Sequence, residues 1–260
     1  MKHQHEYIED KNHYRCKHCD KTKLILKSIN DEVKQGIKKD GKKYSVRNDR
    51  TRYFFPYEWN KFYNSLKNEK HKMLFLTLIH TGARIMEALH LRPLDINFER
   101  ETITLSVTKH RTAKKNIYGI GKKRTFFVSK KYLKEIKKFI KKNNVADKDY
   151  LFLNNDELPA NYEELSNKDK KIYFKKKSVS YRELLKRKLK KINIKDFYNI
   201  SLHNIRKTYG NWMRTFNIEM AELCYRMGHD MDTYLSHYGS SLIFTPSERL
   251  EIIKILGDVK

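Results

Sequence analysis

Cysteine is scarce in this chain. Three in 260 residues cannot build a disulfide framework, so a reducing compartment is expected. Long apolar runs are missing too: the longest uninterrupted one, Met73 to Leu76, falls far short of the roughly 20 residues a membrane span needs. With no amphipathic anchor or secretory leader at its start, the chain is expected to avoid membranes and to work in the cytoplasm, associated with the nucleoid. Acidic residues are also outnumbered. Thirty-one Asp and Glu face 57 Lys and Arg, a formal charge of +26 and a pI near 9.8. That surplus exceeds what solubility requires and points to polyanions, nucleic acid first.

What is present divides into a small N-terminal region, 1–52, and one substantial domain, 53–260. Residues 1 to 50 read as polar and irregular, apart from a cluster of histidines and cysteines. In "HYRCKHC", Cys16 and Cys19 stand at C-x-x-C spacing with His13 three residues before Cys16. Together with His5 or His3 as a fourth ligand they form a candidate structural zinc knuckle. The motif is only half complete, because no second, separated ligand pair follows; the alternative is a disordered basic arm with incidental histidines. From Lys34 to Arg52 apolar side chains almost vanish, and the stretch reads as a linker able to lie along phosphates.

The second region is expected to be α+β and mainly α-helical. Pro56 suits a first helical position, and Trp59, Phe62, Tyr63 and Leu66 follow at i, i+3, i+4 and i+7. Met73 to Ile79 is apolar enough to be a buried centre, and Gly82 separates it from a second helix opened by Arg84. An arginine beside so apolar a run needs a partner, and Glu87 and Asp95 are the candidates. Ile103, Leu105 and Val107 alternate with polar residues as one strand, and "RTFFVS" is the returning one. The hairpin tip between them is rich in lysine. Leu133, Ile136, Phe139 and Ile140 mark an amphipathic helix, "DYLFLN" reads as a short buried strand or extended segment, and 154–177 as a surface loop. A basic helix capped by Ser178 or Ser180 follows. Met220, Leu223, Cys224 and Met227 define a helix stopped by Gly228, which makes Cys224 a core residue. Thr245, Pro246 and Glu248 open a last helix with a stripe of Leu250, Ile253 and Leu256.

Chemistry concentrates in "SLHNIRKTYGNWM", where His203 and Arg206 stand three apart at helical spacing. A guanidinium beside an imidazole suits a phosphate group undergoing proton transfer. Upstream stands Arg84 in "HTGARIMEAL". Downstream stand Gly228 and His229 in "RMGHD", and then Tyr238 nine residues beyond that histidine. In this order and spacing, from about 53 to 245, the chain resembles the tyrosine recombinase, or phage integrase, family. That family's pattern is TG-x-R-x-x-E, a hairpin lysine, H-x-x-R, GH and a nucleophilic tyrosine.

The resemblance implies a site-specific DNA recombinase that cleaves and rejoins strands through a covalent 3′-phosphotyrosine. Arg84 and Arg206 would grip the phosphate, His203 would take the phenol proton or hold the phosphate, and His229 would donate to a non-bridging oxygen. Tyr238 would attack, with Lys109 as general acid and Lys122 its rival. It further implies double-stranded DNA as partner, a homo-tetramer on paired sites, and no cofactor for catalysis. Tyr234, five residues after His229, is the less suitable nucleophile. Two other readings stay open, a type IB-like topoisomerase and a non-catalytic DNA-binding regulator. One departure stands out: the family's helical core-binding domain is replaced by about fifty polar residues.

Overall fold

A computed structural model of the chain describes residues 52–106, 123–153, 158–159, 161, 164–165, 167–229, 231, 234 and 244–259, together with the backbone of five short strands between 7 and 45. Two compact units are distinguished, Met1–Asn48 and Asp49–Lys260. In the first, strands β1 (Tyr7–Asp10), β2 (His13–Cys16) and β3 (Thr22–Leu24) form an antiparallel meander. Strands β4 (Gln35–Ile37) and β5 (Lys43–Ser45) form a separate hairpin. This corrects the expectation of an irregular arm and linker: backbone pairing needs no apolar run, which is why the polar composition concealed it.

The second unit is mainly helical with one small sheet, an α+β fold. Its centre is α2 (Glu69–Thr81), in which every residue from Met73 to Thr81 is buried. Asn68 caps its start by accepting from the His71 amide, and Gly82 ends it in the left-handed conformation. Around it lie α1 (Pro56–Ser65), α3 (Ile85–Leu89) and α4 (Lys130–Lys142). The remaining helices are α5 (Asn167–Lys191), α6 (Leu202–Met213), α7 (Met220–Met227) and α8 (Pro246–Leu256). Strands β6 (Ile96–Asn97), β7 (Thr102–Ser106) and β8 (Lys123–Phe127) pair antiparallel in that order. Ile103 and Leu105 of β7 point inward, as do Arg124 and Phe126 of β8. Among the described residues no helix is long and apolar enough to cross a membrane.

The chain enters this unit tied to α6. The Phe54 amide donates to Thr208 Oγ1 at 2.8 Å, Asn204 Nδ2 donates to the Arg52 carbonyl at 2.6 Å, and Trp212 Nε1 donates to the Phe54 carbonyl at 3.1 Å. A buried bidentate pair of Arg52 with Glu58 fixes the turn into α1. Cys224 is a core residue, as expected.

Three elements differ from their sequence expectation. Helix α5 begins at Asn167 within the stretch read as a loop, so the serines at 178 and 180 are internal rather than caps. From Asn167 to Lys177 the run holds no glycine or proline, its lysines favour helix, and Phe174 is buried with its ring stacked on His90 at 3.7 Å. Leu151 to Leu153 are buried in a turn and not a strand, held by the Leu151 amide on the Leu91 carbonyl. Helix α8 buries Ile252 and Leu256, whereas Leu250 and Ile253 are exposed. Apolar residues surround most of that helix, so its partners choose the buried side. Asn60 of α1 donates to Glu251 at 2.6 Å, and Lys131 of α4 donates to the Lys254 carbonyl.

Candidate active site

The α2–α3 turn, the last turn of α7, strand β8 and helix α6 converge on one carboxylate, Glu87. Its residue is 2% exposed, and three arginines surround it. Arg84 donates from Nη1 to Oε1 at 2.9 Å and from its backbone amide to Oε2 at 2.8 Å. Arg124 forks onto the same group, Nη2 to Oε2 at 2.9 Å and Nη1 to Oε1 at 3.3 Å. Arg206 brings Nη1 to 3.8 Å from Oε2. Burial by itself raises this carboxyl, but Arg124, Arg206 and the Arg84 amide together outweigh it and hold Glu87 below its ordinary range. Asp95, the other proposed partner of Arg84, instead accepts from the Arg92 amide.

Arg206 is 1% exposed. Its Nη1 donates to the Gly82 carbonyl at 2.6 Å, while Nη2 donates to the Met227 carbonyl and stands 2.9 Å from His229 Nε2. Two glycines make this approach feasible. Gly82, at φ 59°, faces the Tyr209 ring so closely that a Cβ there would lie 2.3 Å from Cδ1. Gly228, also at φ 59°, closes α7, and a Cβ there would meet Arg124 Nη1 at 2.7 Å. That turn swings the chain so that His229 sits beside Arg206.

Of the residues singled out from the sequence, Arg84 and Arg206 therefore meet Glu87, and His229 stands beside Arg206. Arg84 retains 31% side-chain exposure, so its guanidinium can meet both Glu87 and a bound anion. His203 lies on the first turn of α6 and is exposed, whereas Arg206, one turn on, is buried. Lys109, Lys122 and Tyr238 lie outside the described residues. Tyr234 is fully buried and its hydroxyl donates to the Gly210 carbonyl at 3.1 Å, which withholds it from solvent. In the first unit His13 opens β2 and Cys16 closes it, roughly 10 Å along the strand; His3, His5 and Cys19 lie outside the described residues. Among the described residues no group of three or more metal-ligating side chains occurs.

Arg124 is the member of this cluster that the sequence reading missed. A signal was available: it shares strand parity with Phe126, so an inward-facing cation was implied and needed a buried partner.

Three guanidiniums against one carboxylate leave the cluster with two surplus positive charges. Such a site favours a phosphoryl group, most of all when a transition state adds negative charge to it. A helical unit whose arginines meet over a short antiparallel sheet is the catalytic-domain fold of tyrosine recombinases. Solved structures agree on the fold. XerA recombinase superposes with a TM-score of 0.52 at 15% identity, covering 80% of this chain and 66% of its own. The Tn1549 transposon integrase, in complex with transposon right end DNA, gives 0.53 at 18%, covering 84% and 70%. XerH bound to its difH substrate gives 0.51 at 16%, covering 84% and 59%. The chain thus spans about two thirds of the first two proteins and less of the third. No curated protein matches its sequence. The phage integrase family model matches residues 53–242, and the chain belongs to that family.

Proposed function

We propose that the protein is a site-specific DNA recombinase that breaks and rejoins strands through a covalent phosphotyrosine. The observation carrying this reading is the cluster of Arg84 and Arg206 on buried Glu87, with His229 2.9 Å from Arg206, in a member of the phage integrase family. Arg84 and Arg206 bind the non-bridging oxygens of the scissile phosphate and His229 donates a further hydrogen bond. His203 accepts the Tyr238 phenol proton. The phenolate oxygen bonds to phosphorus, the bond from phosphorus to the 5′-oxygen breaks, and Lys109 supplies the proton that this oxygen takes up. Phosphodiester and phosphotyrosine are both esters, so neither water nor a nucleotide is consumed and rejoining is the same step reversed. Double-stranded DNA is the partner, and four protomers assemble on paired sites. In the first unit, Met1–Asn48, zinc bound by Cys16 and Cys19 with histidines from the same segment would brace the small strands.

The test is selection for adducts. The full chain is incubated with nicked duplexes of randomised sequence, DNA covalently attached to protein is recovered and sequenced, and the modified residue is mapped by mass spectrometry. One enriched sequence with DNA on Tyr238, lost in Tyr238→Phe, is expected. Adducts without sequence preference would indicate a topoisomerase, and no adducts would leave a DNA-binding regulator.

A further inference from the structure

Arg124 differs from the other two arginines around Glu87. Its side chain is 3% exposed, against 31% for Arg84, and all three of its nitrogens donate to protein oxygens. Two take Glu87 and the third, Nε, donates to the Arg226 carbonyl at 3.2 Å. That carbonyl is in the last turn of α7, where helix carbonyls lack intrahelical partners and carry partial negative charge. The next carbonyl, Met227, accepts from Arg206. Two arginines thus hold consecutive carbonyls of one helix end, two and three residues before His229, and both face the same carboxylate. Arg124 is also on β8, the strand by which the lysine-rich hairpin returns to the sheet.

We propose that Arg124 is a positioning residue of the phosphate site, an inference that rests on the strand-transfer reading above. Its fork sets the plane of the Glu87 carboxylate, and that plane aims Arg84 and steadies Arg206. Its Nε fixes the α7 end that presents His229. The base of the hairpin, both phosphate-binding arginines and the histidine then move as one body. Preorganisation of this kind matters because donors already aimed at developing charge need no reorganisation during the reaction. Arg124 also supplies charge without touching substrate. The three guanidiniums less Glu87 leave two positive charges, and a phosphorane formed by phenolate attack on a phosphodiester carries two negative ones. The cluster matches the transition state better than the singly charged ground state.

The experiment compares two substrates and two variants. The duplex enriched by adduct selection is synthesised with its natural scissile phosphate and with an uncharged methylphosphonate there, and single-turnover cleavage is measured on both. Arg124→Met should slow cleavage of the natural duplex by about 10²–10³-fold, the loss typical of one preorganised donor. DNA affinity should barely change, because backbone charge elsewhere dominates it. Arg124→Lys keeps the charge but cannot reach both carboxylate oxygens and the Arg226 carbonyl together, and should cost about tenfold or more. On the methylphosphonate, where less charge develops, the deficit of the Met variant should shrink to less than about tenfold. Equal deficits on both substrates would reduce Arg124 to a packing role and overturn the proposal, as would a Lys variant indistinguishable from wild type. Should the Met variant fail to fold, Glu87→Gln is compared on the same two duplexes: a deficit that shrinks on the methylphosphonate supports the proposal, and equal deficits overturn it. Failure of the wild type to form any adduct would instead refute the strand-transfer reading itself.

Discussion

Replacing Gly82 by alanine perturbs backbone, core and site through one methyl group. At φ 59° an L-residue pays about 1–2 kcal/mol for the left-handed conformation. The new Cβ would also lie 2.3 Å from Tyr209 Cδ1 and 2.8 Å from Cε1, and Tyr209 is a fully buried ring with no room to retreat. Overpacking of this kind costs about 1–3 kcal/mol. The sum, roughly 2–5 kcal/mol, should lower the melting temperature of a domain this size by about 4–20 °C. Because the Gly82 carbonyl accepts from Arg206 Nη1 at 2.6 Å, any shift that relieves the clash also moves a phosphate-binding arginine. Urea denaturation of Gly82→Ala, Tyr209→Ala and the double variant separates the contributions. In the Tyr209→Ala background the alanine should cost only the conformational part, about 1–2 kcal/mol. Additive costs, with no coupling between the two positions, would refute the account of why glycine stands there.

Four further outcomes are expected. His80 is fully buried against Tyr132 and burial pushes its pKa down to about 3, so the folded protein keeps it neutral while the unfolded chain protonates it near 6.5. Stability should therefore fall as pH drops from about 6.5 towards 3, by up to about 1.4 kcal/mol per pH unit from this group, and His80→Leu should remove that slope in pH-dependent denaturation. Leu256→Ala should cost about 2–5 kcal/mol and Leu250→Ser less than about 0.5; equal losses in thermal melts would mean that α8 is not core material of its own domain. DNA affinity should drop about 10³–10⁵-fold between 50 and 200 mM salt if six to ten phosphates are contacted, and a flat titration would argue against a nucleic-acid partner. Tyr234→Phe should keep forming adducts while losing about 1–3 kcal/mol of stability, because the Gly210 carbonyl loses its buried donor.

Several features were legible from the chain alone because they depend on neighbours in sequence. The apolar run before Gly82 made a buried helix, the alternation at Ile103 and Leu105 made a strand, and the glycine after Met227 ended a helix in the left-handed conformation. The order of Arg84, His203, Arg206 and His229 sufficed to suggest the family. Helical spacing also placed His203 and Arg206 on nearby faces, but only packing decided that Arg206 is buried and His203 exposed. Packing likewise decided which of five apolar residues α8 turns inward, since Asn60 and Lys131 hold that helix from distant parts of the chain. Most of all, the pairing of Glu87 with Arg124, 37 residues away, has no local signature. Propensity and periodicity act over one or two turns, whereas the balance of buried charges is settled among whichever elements the core brings together.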